Sequence, residues 1–496
     1  MRNKIIFFSL WTVVSLSLHA QETVVSFQQL LSDGVENNYG IKLESLSLEK
    51  SKYTLMKAGG YLNPYFDSEI VYGSGVDPTI DHNGTRHAKT NFVLPTKWGI
   101  DFYSGARVER TYLISDKFMF NNAGAWVGVT LPLLRGLGKN SDVNTFIKTS
   151  ELNKKALEEQ LSNEVITYFS DVLIAFLSLK KNEVNAQIAY EAYKAAEKYK
   201  EGIYKLTKND ALPRVENNRA DALLNQREQQ YTNAVLEGLN AYFDAKLLTG
   251  VAGTAAIDTL PKVIDNVPNP DTELIKQYIT DRREVLDTLI KNTPQYKNIS
   301  FRIEESKQLL ANAKNQKNNP LDLDVRVSKF GMYTNGSYNL SEALNSNYPG
   351  YSVLVTLTHR FPITNRQQRG AYLEQLTEYE TTKTYLDQYV FESKLNAKRL
   401  LNNLSQMVTL YQQSLKVADI MRQTLHDEQE KFKFDNATQI DVTLSFNNYY
   451  DALVSLNTLK YDLYTTFVQV KLLLGELPEN KEAINAFSFM EFFTKN

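Results

Sequence analysis

The sequence contains no cysteine. Disulfides, thiolate metal sites and thiol nucleophiles are excluded together, as is a lipid carried on an N-terminal cysteine. Histidine is scarce, with five residues at 19, 82, 87, 359 and 426. His82 and His87 could share a metal in one loop, although a surface loop is the simpler reading. Neither His-Glu-x-x-His nor Gly-x-Ser-x-Gly occurs. Arg135-Gly136-Leu137-Gly138-Lys139-Asn140-Ser141 has some features of a phosphate loop. It lacks the leading glycine at the required spacing and lacks Ser or Thr after the lysine, so it is set aside. Carboxylates along the helical stretches are explained by solvated helix faces. The formal net charge is only −2, spread along those stretches, so no basic face points to nucleic acid. These absences leave no cofactor, no metal and no catalytic cluster, and an enzyme is not expected.

Long apolar runs are also lacking. Arg2 and Lys4 precede an apolar stretch from Ile5 to Leu18, and Leu18-His19-Ala20 stands before Gln21 like a cleavage site. This stretch is too short and poorly flanked for a spanning helix. Residues 1–20 are therefore read as a signal peptide, and the exported chain carries a formal −4. No later run reaches eighteen apolar residues, which argues against a helical membrane protein. A strand-built span stays open, because each strand needs only about 9–11 alternating residues.

What is present is internal repetition. Lys246-Leu247-Leu248-Thr249-Gly250 recurs as Lys471-Leu472-Leu473-Leu474-Gly475, 225 positions later. At the same offset Leu236 falls on Tyr461, Leu239 on Tyr464, Tyr242 on Phe467, and Val215-Glu216 on Ile440-Asp441. A unit this long is a duplicated half rather than a solenoid repeat. The halves are 21–250 and 273–475, joined by a linker at 251–272 that holds Gly253, Pro261, Pro268 and Pro270, and followed by a tail at 476–496.

Each half opens with a helical stretch, at 26–58 and at 273–317 with an interruption at Pro294. Strand-like segments follow, within 61–136 and 320–363. Then come long helical hairpins at 139–250 and 371–475. Residues 139–201 contain neither Gly nor Pro, and the same holds for 371–474. A 63-residue helix spans roughly 95 Å, far beyond the 11–12 residues of an average globular helix. Such helices bury their stripes against one another in a coiled-coil rod. The first rod breaks between Gly202 and Pro213, with Asp210 in the turn. The second turns at Lys433-Phe434-Asp435-Asn436-Ala437-Thr438, where Asp435 and Asn436 tolerate the left-handed backbone a glycine-free turn needs.

The strand segments alternate. Leu321, Leu323, Val325 and Val327 oppose Asp322, Asp324, Arg326 and Ser328. Tyr351, Val353, Val355 and Leu357 share a face, as do Ala125, Val127, Val129 and Leu131. Phe66, Ile70 and Tyr72 oppose Asp67 and Glu69. Aromatics crowd the strand ends at Tyr65, Tyr72, Trp98, Tyr103, Trp126, Phe330, Tyr333, Tyr348 and Phe361, the places of an aromatic girdle. A soluble antiparallel sheet with one wet face gives the same period. A few strands cannot close a barrel, and an open edge cannot survive in lipid, so a membrane reading requires several chains to pool strands.

The junctions resemble those of the TolC-like outer-membrane efflux protein family. Val129-Thr130-Leu131-Pro132-Leu133-Leu134-Arg135-Gly136 is similar to its strand-to-helix junction, with Leu131 where the family has Gln. Phe361-Pro362-Ile363-Thr364-Asn365-Arg366 with Gly370 resembles the partner junction. Residues 314–323 resemble the helix-to-strand passage, and 432–475 the final hairpin. The resemblance implies a mainly α chain with a membrane β-barrel portion. Four strands per protomer would join a shared 12-stranded trimeric barrel, above a coiled-coil tunnel in the periplasm. It implies a passive exit duct in the outer membrane, working with a periplasmic adaptor and an inner-membrane transporter. An exported periplasmic scaffold or adaptor is the alternative. The family's tunnel latch is absent here, because Phe432 and Ala437 occupy its positions. Of its acidic constriction pair one member is retained, Asp441, while Leu444 replaces the other; Glu216 is the pseudo-equivalent in the first half. In a trimer Asp441 would form a ring of three carboxylates that favours cations; a first-turn Asp favoured by the helix dipole is the plainer account. Residues 87–112 carry an additional strand pair turning at Leu94–Gly99. The barrel strands of the first half are thus left open, with 64–76 and 124–134 favoured.

Overall fold

The structure is a computed structural model describing residues 24–73, 82–113, 119–210, 212–251, 260–333, 350–434, 436–489 and 492. The signal segment 1–20 and Asp435 lie outside the described residues. The chain runs β1 (Val24–Val25), α1 (Phe27–Asn37), α2 (Tyr39–Gly60), β2 (Tyr65–Tyr72), β3 (His82–Pro95), β4 (Asp101–Leu113) and β5 (Met119–Pro132). It continues through α3 (Asp142–Lys208), α4 (Val215–Thr249), β6 (Lys262–Val263), α5 (Thr272–Asn292), α6 (Pro294–Gln316), β7 (Leu321–Tyr333) and β8 (Gly350–His359). It ends with α7 (Arg366–Lys433), α8 (Gln439–Leu473) and a short α9 (Lys481–Asn485).

The two long helices are nearly matched, α3 with 67 residues and α7 with 68, each roughly 100 Å at 1.5 Å per residue. Their return helices α4 and α8 have 35 residues each. The repeated Leu-Leu-x-Gly endings stop both return helices in the same way. Gly250 and Gly475 adopt φ of 65° and 69°, and a Cβ on Gly250 would sit 2.7 Å from the Asn37 carbonyl oxygen. Only glycine accepts that backbone without strain.

Three boundaries differ from the sequence reading. The first helical stretch is two helices, because the Asn38 side chain accepts from the Ile41 N–H and starts α2. The first long helix passes through Gly202 and continues to Lys208, since a helix stabilised by packing on both sides tolerates one glycine. The inter-half linker supplies β6, which pairs in parallel with β1, and the tail returns to the core. Phe487 and Phe489 pack on Phe27, 5.8 and 5.1 Å between ring centres, next to Phe169 and Phe176.

The main core lies midway along the helices, where α1, α3, α5, α7 and α8 meet around Phe27, Phe176, Leu177, Tyr278, Leu404 and Tyr464. A smaller core nearer the far turns uses Ala192 and Ala196 of α3 against Leu223, Leu425 and Phe446. The alanines let four helices approach closely.

The sheet contains six strands in the order β2-β3-β4-β5-β7-β8, all antiparallel, where four were expected. The additional pair, β3 and β4, is inserted between the two segments favoured from the sequence. It is fully registered on both sides, from Tyr65↔Val93 through Asp101↔Thr130. Its alternation is diluted by Thr90, Ser104 and Arg110, which share a face with Phe92, Phe102 and Val108, so it reads more weakly than β7 or β8. Helix packing follows the same order as the strands: α2 on α3, α3 on α6, α6 on α7. One lateral edge of the protomer is therefore α2 and β2, and the other is β8 and α7. Among the described residues no helix is long and apolar enough to cross a membrane.

Candidate pore wall and constriction

Residues paired across an antiparallel sheet share a face. Following the register, one face carries Asp67, Glu69, Lys89, Arg107, Glu109, Asp322, Asp324 and Arg326. The other carries Phe66, Phe92, Leu94, Phe102, Val129, Val325, Val355 and Leu357. The apolar face is open: Phe66 is 74% exposed, Val353 69% and Val355 61%. A soluble sheet would cover such a surface, because an uncovered apolar patch of this extent marks a partner or a membrane.

The polar face is internally bonded. Tyr103 Oη donates to both Asp324 oxygens at 2.8 and 2.7 Å, Thr130 Oγ1 donates to Oδ2 at 3.0 Å, and Arg107 pairs with Glu109 at 2.8 Å. Tyr103, Trp126 and Phe330 lie on this polar face, each against a glycine of the next strand, and so do not form a lipid-facing girdle. Tyr72 does stand at an end of the apolar face. Arg86 lies 4.4 Å over its ring and donates to its hydroxyl at 3.0 Å. Tyr333 and Tyr348, also expected in the girdle, lie outside the residues whose side chains are described.

The strand-to-helix junctions gather on one passage, 315–321. Pro132 ends β5, and Leu133 N–H donates to the Leu321 carbonyl at 2.7 Å. Gly136 N–H donates to Asn315 Oδ1 at 2.7 Å, with Arg135 in the same turn. On the other side Arg360 N–H bonds the Pro320 carbonyl and Asn365 Nδ2 bonds the Lys317 carbonyl at 2.8 Å. Pro362 lies between β8 and α7, and Gly370 is in the first turns of α7 with open space where a Cβ would stand.

At the far end, the α3–α4 turn holds Asp210 at φ 54° and Pro213, whose carbonyl accepts the Glu216 N–H at 3.1 Å. In the α7–α8 turn the Asn436 N–H bonds the Lys431 carbonyl at 3.0 Å. Thr438 and Asp441 form a reciprocal capping box, with Thr438 N–H and Oγ1 donating to Asp441 Oδ2 at 2.9 and 2.6 Å. Those two donors hold the Asp441 carboxyl below the ordinary aspartate value. Asp441 is exposed; Glu216 is nearly buried, with one oxygen on Arg219 at 2.7 Å and the other unpartnered. The structure brings the two helix starts together, as Gln439 Nε2 donates to the Glu216 carbonyl at 3.4 Å. Beside them Ile440 and Leu444 are exposed.

One residue escaped the sequence reading. Arg227 of α4 is only 4% exposed at its side chain, wedged between α4 and α8. It donates to Asn447, to Gln230 at 2.7 Å and to Asp451 at 3.5 Å, and lies over Phe446 and Tyr450. In the sequence it reads as one more charge on a solvated helix face; nothing local marks it as buried.

Comparison by sequence returns no match, either to a family model or to a curated protein. Comparison by structure returns solved outer-membrane proteins. The CmeC outer membrane channel of Campylobacter jejuni superposes with a TM-score of 0.63 at 13% identity, covering 95% of this chain and 89% of that one. The outer membrane protein VceC of Vibrio cholerae gives 0.64 at 9% identity, covering 90% and 96%. The open-state MtrE outer membrane channel of Neisseria gonorrhoeae gives 0.60 at 13%, covering 90% and 88%. The likeness to TolC-like channels read from the junction motifs thus holds for the fold along nearly the whole described chain.

Proposed function

We propose that this chain is the outer-membrane exit duct of an export system, assembled as a homotrimer. It passively conducts substrates delivered by a periplasmic adaptor and an inner-membrane transporter. One observation carries the reading: a sheet with one polar and one exposed apolar face, open at both edges, whose edges continue into helices that are also open. On α2, Tyr39, Leu43, Tyr53 and Met56 are exposed; on α7, Leu373, Tyr385, Phe391 and Leu395 are. An unpaired strand edge is not tolerated in hydrocarbon. Two unlike edges on one chain are satisfied by head-to-tail contacts that close into a ring.

In this assembly the polar face lines the bore, the apolar face meets outer-membrane lipid, and the hairpins 139–250 and 371–475 form the periplasmic tunnel. The two halves are read as a duplication around the linker 251–272. Asp441 and Glu216 lie at the tunnel's far end, with Asp210, Pro213, Asp435 and Asn436 in the turns that face the adaptor. The junction residues Pro132, Arg135, Gly136, Pro362 and Gly370 turn the wall from strand to helix. No step requires a cofactor or chemistry. The test is fractionation with gel analysis of unheated and heated samples. Recovery from outer membranes as a heat-dissociable trimer supports the duct; a soluble periplasmic monomer supports the scaffold alternative and ends this reading.

A further inference from the structure

We infer that the β3–β4 hairpin is part of the membrane wall, so that the barrel closes at eighteen strands rather than twelve. This rests on the trimeric duct reading and specifies its pore. Six strands per chain are hydrogen-bonded in one continuous sheet. The two faces continue in register through β3 and β4: Phe92, Leu94, Phe102 and Val108 extend the apolar face, with Thr90, Ser104 and Arg110 breaking it, and Lys89, Asn91 and Arg107 extend the polar one. A hairpin destined for water would have no reason to keep that segregation in register with its neighbours.

The hairpin is also fastened at its helix-side turn. Ser141 Oγ, which caps α3, donates to the Lys97 carbonyl at 2.6 Å, and Gly138 N–H donates to the Trp98 carbonyl at 2.9 Å. A Cβ on Gly99 would stand 2.3 Å from the Gly136 carbonyl oxygen, so the turn and the strand-to-helix junction are in backbone contact. The turn therefore sits at the rim where the wall changes from strand to helix.

Width supports the same count. Strands about 4.8 Å apart and tilted about 40° each occupy roughly 6 Å of circumference. Six strands cover about 38 Å, against roughly 32–40 Å for the four-helix layer α2-α3-α6-α7 at 8–10 Å per helix. Closure is between β2 of one copy and β8 of the next. Because barrel diameter grows about linearly with strand number, the bore is about 1.5-fold wider than a twelve-stranded one. Restriction of cargo then falls to the helical end rather than to the barrel.

Because the chain lacks cysteine, single-cysteine variants carry one thiol each. Ala88→Cys and Val108→Cys probe the apolar face of β3 and β4, and Lys89→Cys the polar face. Each is labelled in outer membranes with a membrane-impermeant maleimide and with a lipid-soluble one, and the trimer is scored on the same gel. The expected result is a trimer in which positions 88 and 108 react at least about tenfold more slowly with the impermeant reagent than position 89, yet react with the lipid-soluble one. A trimer in which positions 88 and 108 react as fast as 89 overturns the eighteen-stranded wall and leaves the duct reading intact. Absence of an outer-membrane trimer overturns both.

Discussion

Val355 and Thr356 are neighbours in β8 whose side chains leave the sheet on opposite faces, Val355 with Val325 and Thr356 with Asp324. In the duct, one meets hydrocarbon and the other the aqueous bore. Placing arginine at each position tests the face assignment with the same added group one residue apart. An arginine on the lipid face near the midplane of such a barrel costs about 2–4 kcal/mol, and threefold symmetry brings this to roughly 6–12 kcal/mol per assembly. Snorkelling gives little relief, because His359 at the end of β8 is four residues away, roughly 13 Å along the strand. Even 2 kcal/mol per protomer shifts the inserted fraction about 30-fold. Val355→Arg is expected to deplete the heat-dissociable trimer in outer membranes by more than tenfold, while Thr356→Arg leaves the yield within about twofold. If both variants insert equally well, or both fail, the assignment of lipid and bore faces is wrong.

Two further outcomes concern the helical end. Asp441→Asn in the reconstituted channel is expected to weaken cation preference and block by polyvalent cations; unchanged single-channel selectivity would remove the carboxylate ring. The Asp441 carboxyl is held below its ordinary value by Thr438, so its capping contribution is complete at neutral pH. It is lost only as pH falls through that depressed value, visible as reduced protection of the amides at the start of α8, relative to their intrinsic exchange rates, in acid. At Arg227 the charge is buried while Asp451 is largely exposed. Arg227→Met keeps the volume and leaves no buried charge, and is expected to cost under about 1 kcal/mol. Asn447→Leu strips the guanidinium of a close acceptor and should cost about 1.5–3 kcal/mol. Amide exchange of α4 and α8 measures both; the reverse order would show that the guanidinium itself holds the helices together.

Much of the architecture is written locally. The repeated endings at Gly250 and Gly475 record a turn that only glycine makes cheaply, so they mark the same point in both halves. The runs without Gly or Pro show helix length directly, because propensity accumulates over dozens of residues. Strict alternation in 321–328, and alternation broken only at Leu354 in 351–358, reveals face and period, since a one-residue slip would invert every side chain. Girdle positions were legible only in part. Tyr103 and Phe330 lie toward strand ends while Trp126 falls in the middle of β5, and which face an aromatic takes depends on register with partners far away in sequence. Gly202 misled for a related reason: a helix buttressed along its length absorbs a glycine that would end an isolated one.

By itself, the sequence determined the repeated helix endings, the long hairpins and the two-faced strands. Each of these follows from spacing along one chain or from residue types that are missing. Tertiary structure decided that six strands share one sheet, that the 96–100 turn locks onto the α3 junction, and that Arg227 is buried between α4 and α8. Those outcomes depend on which distant segments meet. The free energy of that meeting comes from pairing edges and covering surface, which no local pattern encodes.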